Sequence, residues 1–367
     1  MNNLQTITNH FALQGTVLSA FPYGSGHIND TYKIETTKPD SHNYILQRIN
    51  HKIFKNVPGL MDNIDRVTRH IRMKLANTPG ADPDRQGLTL IPTLDHKSFY
   101  QDPDGNFWRM YLFIEDNRSY DIVDTPEKAF EGGRMFGKFQ SMIADLPGGP
   151  LYETIPDFHN IDLRLETLRK TIERDPAGRA SKIAGEAAFI WERAGEMGTI
   201  LHLGQKGLIP RRITHNDTKF NNVLLDQNDH GLCVIDLDTV MPGYVHYDFG
   251  DSIRTSTNTG AEDDPDLSKV EMDIRLFEAY TKGFLQETRN TLTPLELEYL
   301  PLAGKLFPYI IGVRFLTDYI DGDNYFKIKH EHHNLQRARA QFKLLVSMEG
   351  QYGAMQEIVR REAKDSD

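Results

Sequence analysis

Apolar and β-branched residues come in short runs over the first third of the chain. Thr16–Tyr23, Asp30–Thr36 and Tyr44–Asn50 are each bounded by turn-forming segments, which predicts three strands. From Val57 to Asn77 the period changes. Leu60, Ile64, Val67, Ile71 and Leu75 recur at three- and four-residue intervals, the pattern of an amphipathic helix. Strand signals return at Leu88–Ile91, Ser98–Gln101 and Asn106–Ile114, and Asp102-Pro103-Asp104-Gly105 is strong turn chemistry between the last two. Beyond about Glu115 the pattern turns helical, over Pro126–Leu146, Ile161–Arg174, Gly185–Gln205, Asp273–Thr288, Pro294–Asp321 and His333–Ala363. A polar segment, Ile213–Leu225, and an apolar strand, Leu232–Leu237, interrupt it. The expected class is α+β in two lobes: a small β-rich lobe over 1–115 and a larger helical lobe over 116–367.

Composition narrows this picture. A chain of 367 residues suits two lobes better than one core. Lys plus Arg number 42 against 52 Asp plus Glu, a formal charge of −10, and no long basic block offsets it, which argues against nucleic acid as a partner. Cys233 is alone, so it forms no intrachain disulfide and anchors no cysteine-type zinc site. The start, MNNLQTITNHF, lacks a secretory signal, and the most apolar long stretch, Leu300–Leu316, carries Lys305 and Arg314. A soluble, cytoplasmic protein without a membrane partner is expected.

The polar segment holds the candidate chemistry. Thr214-His215-Asn216-Asp217-Thr218-Lys219-Phe220-Asn221-Asn222 crowds donors and acceptors between apolar runs. Nineteen residues after Asp217, the strand Val234-Ile235-Asp236-Leu237-Asp238 ends in two acids. Phosphoryl transfer needs one carboxylate at the attacking hydroxyl and oxygen ligands for Mg²⁺. The D-x-x-x-x-N spacing of Asp217 and Asn222 is that of the protein-kinase catalytic loop. Lys219, two positions after the acid, could neutralise charge on the transferring phosphoryl group. Asp248-Phe249-Gly250 also spells a kinase metal triplet, but it lies 31 residues after Asp217, whereas Asp236 stands at the expected distance.

These phrases, with PYGSGHIN, YILQRIN, DFGDSIR and RFLTDYIDGDNYF, resemble the aminoglycoside phosphotransferase and choline kinase superfamily over nearly the whole chain. Within it they are most similar to the branch that phosphorylates N-acetylhexosamine sugars at the anomeric hydroxyl. The resemblance implies a protein-kinase-like two-lobed fold, ATP as cosubstrate and Mg²⁺ as cofactor. By it Asp217 would be the catalytic base, Asn222 and Asp236 the metal ligands, and Asp248 a buried brace. Asp238 is left between facing the metal or substrate and capping the following turn.

The turn Tyr23–Asn29 supplies Gly24, Ser25 and Gly26 as a phosphate-covering hairpin, without the G-K-[ST] of a Walker A loop. The third strand departs from the kinase pattern in having no lysine; Gln47 and Arg48 stand there, facing opposite sides, and either could reach phosphate. Asp65 is the acid to expect on the helix that follows. Arg314 and Tyr325, with His27 and Asn29, are the sugar contacts the resemblance implies, while a helical pair of Arg314 with Asp318 is the plain alternative. Two rivals remain at this stage: an aspartyl-phosphate phosphatase built on Ile235–Val240, and a kinase fold that only binds. Within the kinase class, another hydroxyl acceptor such as a different sugar, homoserine, choline or an aminoglycoside stays open.

Overall fold

The computed structural model describes residues 2–24, 28–37 and 42–364. In chain order the strands are β1 (Val17–Pro22), β2 (Asp30–Thr36), β3 (Tyr44–Ile49), β4 (Leu90–Ile91), β5 (Tyr100–Gln101), β6 (Phe107–Leu112), β7 (Arg212–Thr214), β8 (Val223–Leu225), β9 (Gly231–Val234) and β10 (Met241–Gly243). The helices are α1 (Asn2–Thr8), α2 (Val57–Ala76), α3 (Pro83–Gln86), α4 (Pro126–Ile143), α5 (Ile161–Arg174), α6 (Ala184–Met197), α7 (Thr199–Gln205), α8 (Val245–Ser256), α9 (Ile274–Thr288), α10 (Pro294–Asp321), α11 (His333–Gly350) and α12 (Tyr352–Glu362). Residues 1–118, 142–156 and 224–242 form one compact unit, and 119–141, 157–223 and 243–367 form a second.

The first unit is built on an antiparallel sheet of order β1-β2-β3-β6-β4, with β5 also paired to β6. Ile34, Tyr44, Leu46, Trp108 and Met110 bury against Ile7 and Phe11. The register sets Gln47 opposite Thr31 on β2 and opposite Arg109 on β6, so all three lie in one row across the sheet. The 102–106 turn forms as its residues demand. The Asp102 carboxylate accepts the Asp104 and Asn106 N–H groups and the Trp108 indole, and Gly105 takes φ 82°. Helix α2 begins at Asn56, whose side chain accepts the Gly59 N–H, and buries the predicted stripe Leu60, Ile64, Val67, Ile71 and Leu75.

The second unit is helical around α10. That helix opens on a capping box, Thr293 with Glu296, ends at Gly322 with φ 98°, and is buried almost continuously from Leu300 to Ile320. Its mixed apolar sequence shows no single polar face because α5, α6, α8, α11 and α12 all pack on it. Two of the predicted helices are each a pair. Gly185–Gln205 breaks at Gly198 into α6 and α7, and His333–Ala363 breaks at Gln351 into α11 and α12. Helix α8 falls in a stretch too polar to show apolar periodicity, yet eleven of its residues are buried. No described helix is long and apolar enough to cross a membrane.

Helices α4 and α9 approach backbone to backbone. A Cβ on Gly133 would lie 2.0 Å from the Tyr280 carbonyl oxygen, and one on Gly283 2.1 Å from that of Phe130. This contact fixes the helix that carries Phe136 and Phe139 to the His215 ring and Gln140 to Asp248. Gly283→Ala is expected to cost about 1–3 kcal/mol, since a backbone must move to admit the methyl. Chemical denaturation measures it, and an unchanged midpoint and slope would refute the close approach.

Candidate active site

In the second unit, β7 leads into the loop His215–Thr218 and a short 3-10 turn, Phe220–Asn222. The loop is irregular, so its four backbone N–H groups need partners that no ladder supplies. Asp248, on α8, takes two of them: its carboxylate oxygens accept the N–H of His215 (2.8 Å) and of Asn216 (2.7 Å). One of those oxygens also accepts the Gln140 side-chain amide of α4. Asp251, one turn further along α8, accepts the Thr218 N–H at 3.1 Å, and the His215 ring accepts that of Asp217 at 3.4 Å. Asn216 takes a left-handed φ of 66°, and its side chain closes on Thr214. Asp248 is thus a fully buried brace of the loop, the role expected of it rather than that of a metal ligand.

Asp217, at the bend, keeps its side chain 25% exposed, with the Lys219 ammonium 3.4 Å away. Burial works against its ionisation, but Lys219, His215 and Arg254 together outweigh burial and hold its carboxyl below the ordinary value. Lys219 is pushed the other way, chiefly by Asp217. Arg254 belongs to a second layer. It donates to Asp251 at 3.0 and 2.9 Å and to Glu262 at 2.7 Å. The Asn222 amide nitrogen donates to the Asp217 carbonyl at 2.8 Å, which fixes the amide and leaves its oxygen as the donor toward a cation.

Arg314 and Tyr325 come together in the same unit, with the guanidinium 3.5 Å from the phenol oxygen and stacked over Phe158, Tyr325 and Phe326. Asp318 does something other than the helical pairing considered above. Its carboxylate accepts the N–H groups of Tyr325 (2.8 Å) and Phe326 (2.9 Å) and the Asn334 amide, and so shapes the loop that presents Tyr325. His159 links this corner to the catalytic loop: its ring meets the Asn216 carbonyl at 3.1 Å. Burial pulls the His159 pKa down to about 3, so its ring is neutral at physiological pH and donates that bond. Arg164 donates to the Phe158 carbonyl at 2.8 Å; burial, then the neighbouring Arg314, lower its pKa to about 10.

In the first unit, Asp236 follows β9 in a left-handed conformation, φ 61° and ψ 59°, which cuts the predicted strand short and turns its side chain outward. Asp238 neither faces solvent nor caps a helix. It is buried, one oxygen paired with Arg109 of β6 and the other accepting the Asn29 amide at 2.6 Å. Arg109 also donates to the Gln47 carbonyl oxygen at 2.9 Å, and Gln47 in turn donates to Thr31 at 3.0 Å. Arg48 lies on the other face, exposed and paired with Asp30 across the sheet. Asp65 pairs with Arg69 at 2.8 Å, one helical turn away, and not with a strand residue. Gly24 has φ 78° with open space where a side chain would stand; Ser25, Gly26 and His27 lie outside the described residues. Asn29 spends both ends of its amide on Asp238 and on the Asn50 N–H (3.0 Å).

Sequence reading had missed Arg109, His159, Arg164 and the Arg254 layer. Arg109 had a signal, a lone cation inside the apolar strand Phe-Trp-Arg-Met-Tyr-Leu. The others sit on helices or loops where a charged residue is ordinarily solvated.

Residues 20–282 match the phosphotransferase enzyme family, APH, and the chain belongs to it. Among solved structures it is similar to a microcompartment-associated aminopropanol kinase (13% identity, TM-score 0.58, covering 97% of this chain and 98% of that one). It is also similar to a spectinomycin phosphotransferase in complex with ADP and spectinomycin (13%, TM-score 0.59, 96% and 98%). A choline kinase from Cryptosporidium parvum gives 14% and 0.54, over 93% and 91%. At such identities the likeness establishes the fold, an α+β kinase-like one. Membership of a transferase family also sets aside the phosphatase reading of Ile235–Val240.

Proposed function

We propose that this phosphotransferase uses Mg·ATP to phosphorylate the anomeric hydroxyl of an N-acetylhexosamine, giving the sugar 1-phosphate and ADP. The observation that carries the reaction class is Asp217: a carboxylate held ionised on a loop whose every N–H is anchored. In this reading Asp217 orients the acceptor hydroxyl and takes its proton as the oxygen attacks phosphorus, and Lys219 offsets negative charge on the phosphoryl group. Asn222 and Asp236 would hold the metal. Both offer hard oxygen donors, the kind Mg²⁺ prefers, and the tether on the Asn222 nitrogen already orients its oxygen. The ion would supply charge neutralisation at the nucleotide phosphates. Gly24, Ser25, Gly26 and Gln47 are assigned to the nucleotide, and His27, Arg314 and Tyr325 to the sugar. Asn29, committed to Asp238 and Asn50, would act by shaping its surroundings. The nucleotide thus falls to 1–115, and catalysis and the acceptor, His27 apart, to 116–367.

The acceptor assignment rests on the sequence phrases and on charge. Burial, and then Arg314, depress Arg164 against the opposing pull of Tyr325 and Asp157, so an acceptor bearing an amine would bring a further positive charge to a corner that already holds two guanidinium groups. Aminopropanol and spectinomycin, named with the similar structures, therefore fit less well than a neutral sugar. The test is ADP release over reducing sugars, N-acetylated and free amino sugars, choline and homoserine, with the phosphorylated position assigned by NMR. Turnover is expected for the N-acetylated sugars, at the anomeric oxygen. Turnover confined to choline or another amine would overturn the acceptor, and no ATP consumption with any of them would overturn the kinase reading.

A further inference from the structure

We infer that Arg109 is the positioning residue of the nucleotide half of the site: from β6 it fixes the Gln47 amide toward phosphate, as the missing third-strand lysine would otherwise do directly. This rests on the phosphotransferase reading above and adds a residue to it.

The argument starts from an amide's ambiguity. A glutamine side chain presents either its oxygen or its NH₂, and only the NH₂ can meet a phosphate oxygen. Arg109 removes the choice. Its Nε donates to Gln47 Oε1 at 2.9 Å, and a guanidinium has no acceptor with which to hold the flipped amide. The Gln47 nitrogen then carries two hydrogens; one goes to Thr31 Oγ1 at 3.0 Å, and the other is the one to offer a phosphate. Across the sheet the register is Thr31–Gln47–Arg109, so the three side chains are held by strand pairing and not by loops.

The same guanidinium needs a counter-charge, because Arg109 is among the largest fully buried side chains of the described residues. Asp238 provides it, and the Asn29 amide takes the other Asp238 oxygen. Both oxygens of Asp238 are thereby engaged by N–H donors, and Asp236, two residues earlier, is exposed. Arg109 thus ties the strand that carries Gln47 to the turn that carries Asp236. Lysine could not do this, since an ammonium at that depth lacks the fork that reaches Gln47 and Asp238 together.

The experiment is a double-mutant cycle between Arg109→Lys and Gln47→Ala, read as KM for Mg·ATP, KM for the acceptor and kcat, with circular dichroism to show that each variant is folded. Gln47→Ala keeps the buried ion pair and therefore tests the site without the risk that the variant fails to fold. Each single variant is expected to raise the nucleotide KM about tenfold or more, with the acceptor KM unchanged. The double variant should be no worse than about twofold beyond the poorer single one, because both remove the same contact. Multiplying effects in the double variant, or an Arg109→Lys enzyme with wild-type nucleotide KM, would overturn the inference while leaving the phosphotransferase reading intact. Failure of the wild-type protein to bind a fluorescent ATP analogue with Mg²⁺ would instead remove that reading, and this inference with it.

Discussion

Asp217→Asn is expected to lower kcat by about a thousandfold while leaving nucleotide affinity within a factor of about two. The substitution keeps the size of the side chain but removes the carboxylate assigned to take the proton from the acceptor hydroxyl. The loop itself should persist, because its anchors are backbone N–H groups received by Asp248, Asp251 and His215, none of them held by the Asp217 side chain. Steady-state kinetics with nucleotide titration checks both halves, and a variant retaining most of the turnover would end the base assignment. The pH profile carries a second signature. Lys219, His215 and Arg254 hold the Asp217 carboxyl below its ordinary value, so the carboxylate persists through the neutral range and the acid limb of activity should lie below the ordinary carboxylate range. In Lys219→Met the nearest of those charges is gone, the carboxyl pKa rises, and the limb moves to higher pH. A limb that stays put would show that Lys219 does not act on Asp217.

The sheet and most helices were legible because their signals are local. Alternation on β3, the α2 stripe and the Asp102–Gly105 turn each state their structure within a few residues. Boundaries were overdrawn where a single residue changed the backbone, as at Asp236, whose left-handed conformation stops the strand at Val234. Helix α8 was hidden for a different reason. His246, Asp248, Asp251 and Arg254 are buried, so the helix packs polar side chains against polar partners and carries no apolar rhythm to read. The polar loop stood out because its Asp217–Asn222 spacing, the acids that follow and the family phrases point the same way, and all of these lie close together in the chain. Its supports did not: the pairing of Arg109 with Asp238 spans 129 residues, and nothing at either end names the other. Arg48 illustrates the same limit. The sequence places it beside Gln47, and only the sheet's register shows that it faces Asp30 in solvent while Gln47 faces Arg109.

The buried polar cluster on α8 leads to the largest expected effect on folding. Asp248→Ala would leave the His215 and Asn216 N–H groups and the Gln140 amide without their acceptor, in a place closed to water. Three orphaned donors at about 1–3 kcal/mol each would take roughly 3–9 kcal/mol from stability, a large share of what an ordinary domain has. Asp248→Asn is the milder form. Whichever way its amide turns, one oxygen becomes an NH₂ that confronts a backbone N–H, so one donor stays unpaired and the loop must shift to relieve it. A displacement of an ångström at Asp217 is enough to cost about a hundredfold in kcat. Burial pushes the Asp248 carboxyl up, which fixes the pH sense of the effect. A raised folded-state value means that its contribution to stability is full below the ordinary carboxylate range and declines as pH rises through the raised value. The stability gap between wild type and Asp248→Asn should therefore be widest in acid and narrow toward neutrality. Denaturation midpoints across that range, with kcat measured on the folded variant, test both parts: a gap that widens with pH contradicts the burial argument, and wild-type kcat in Asp248→Asn contradicts the role of the brace.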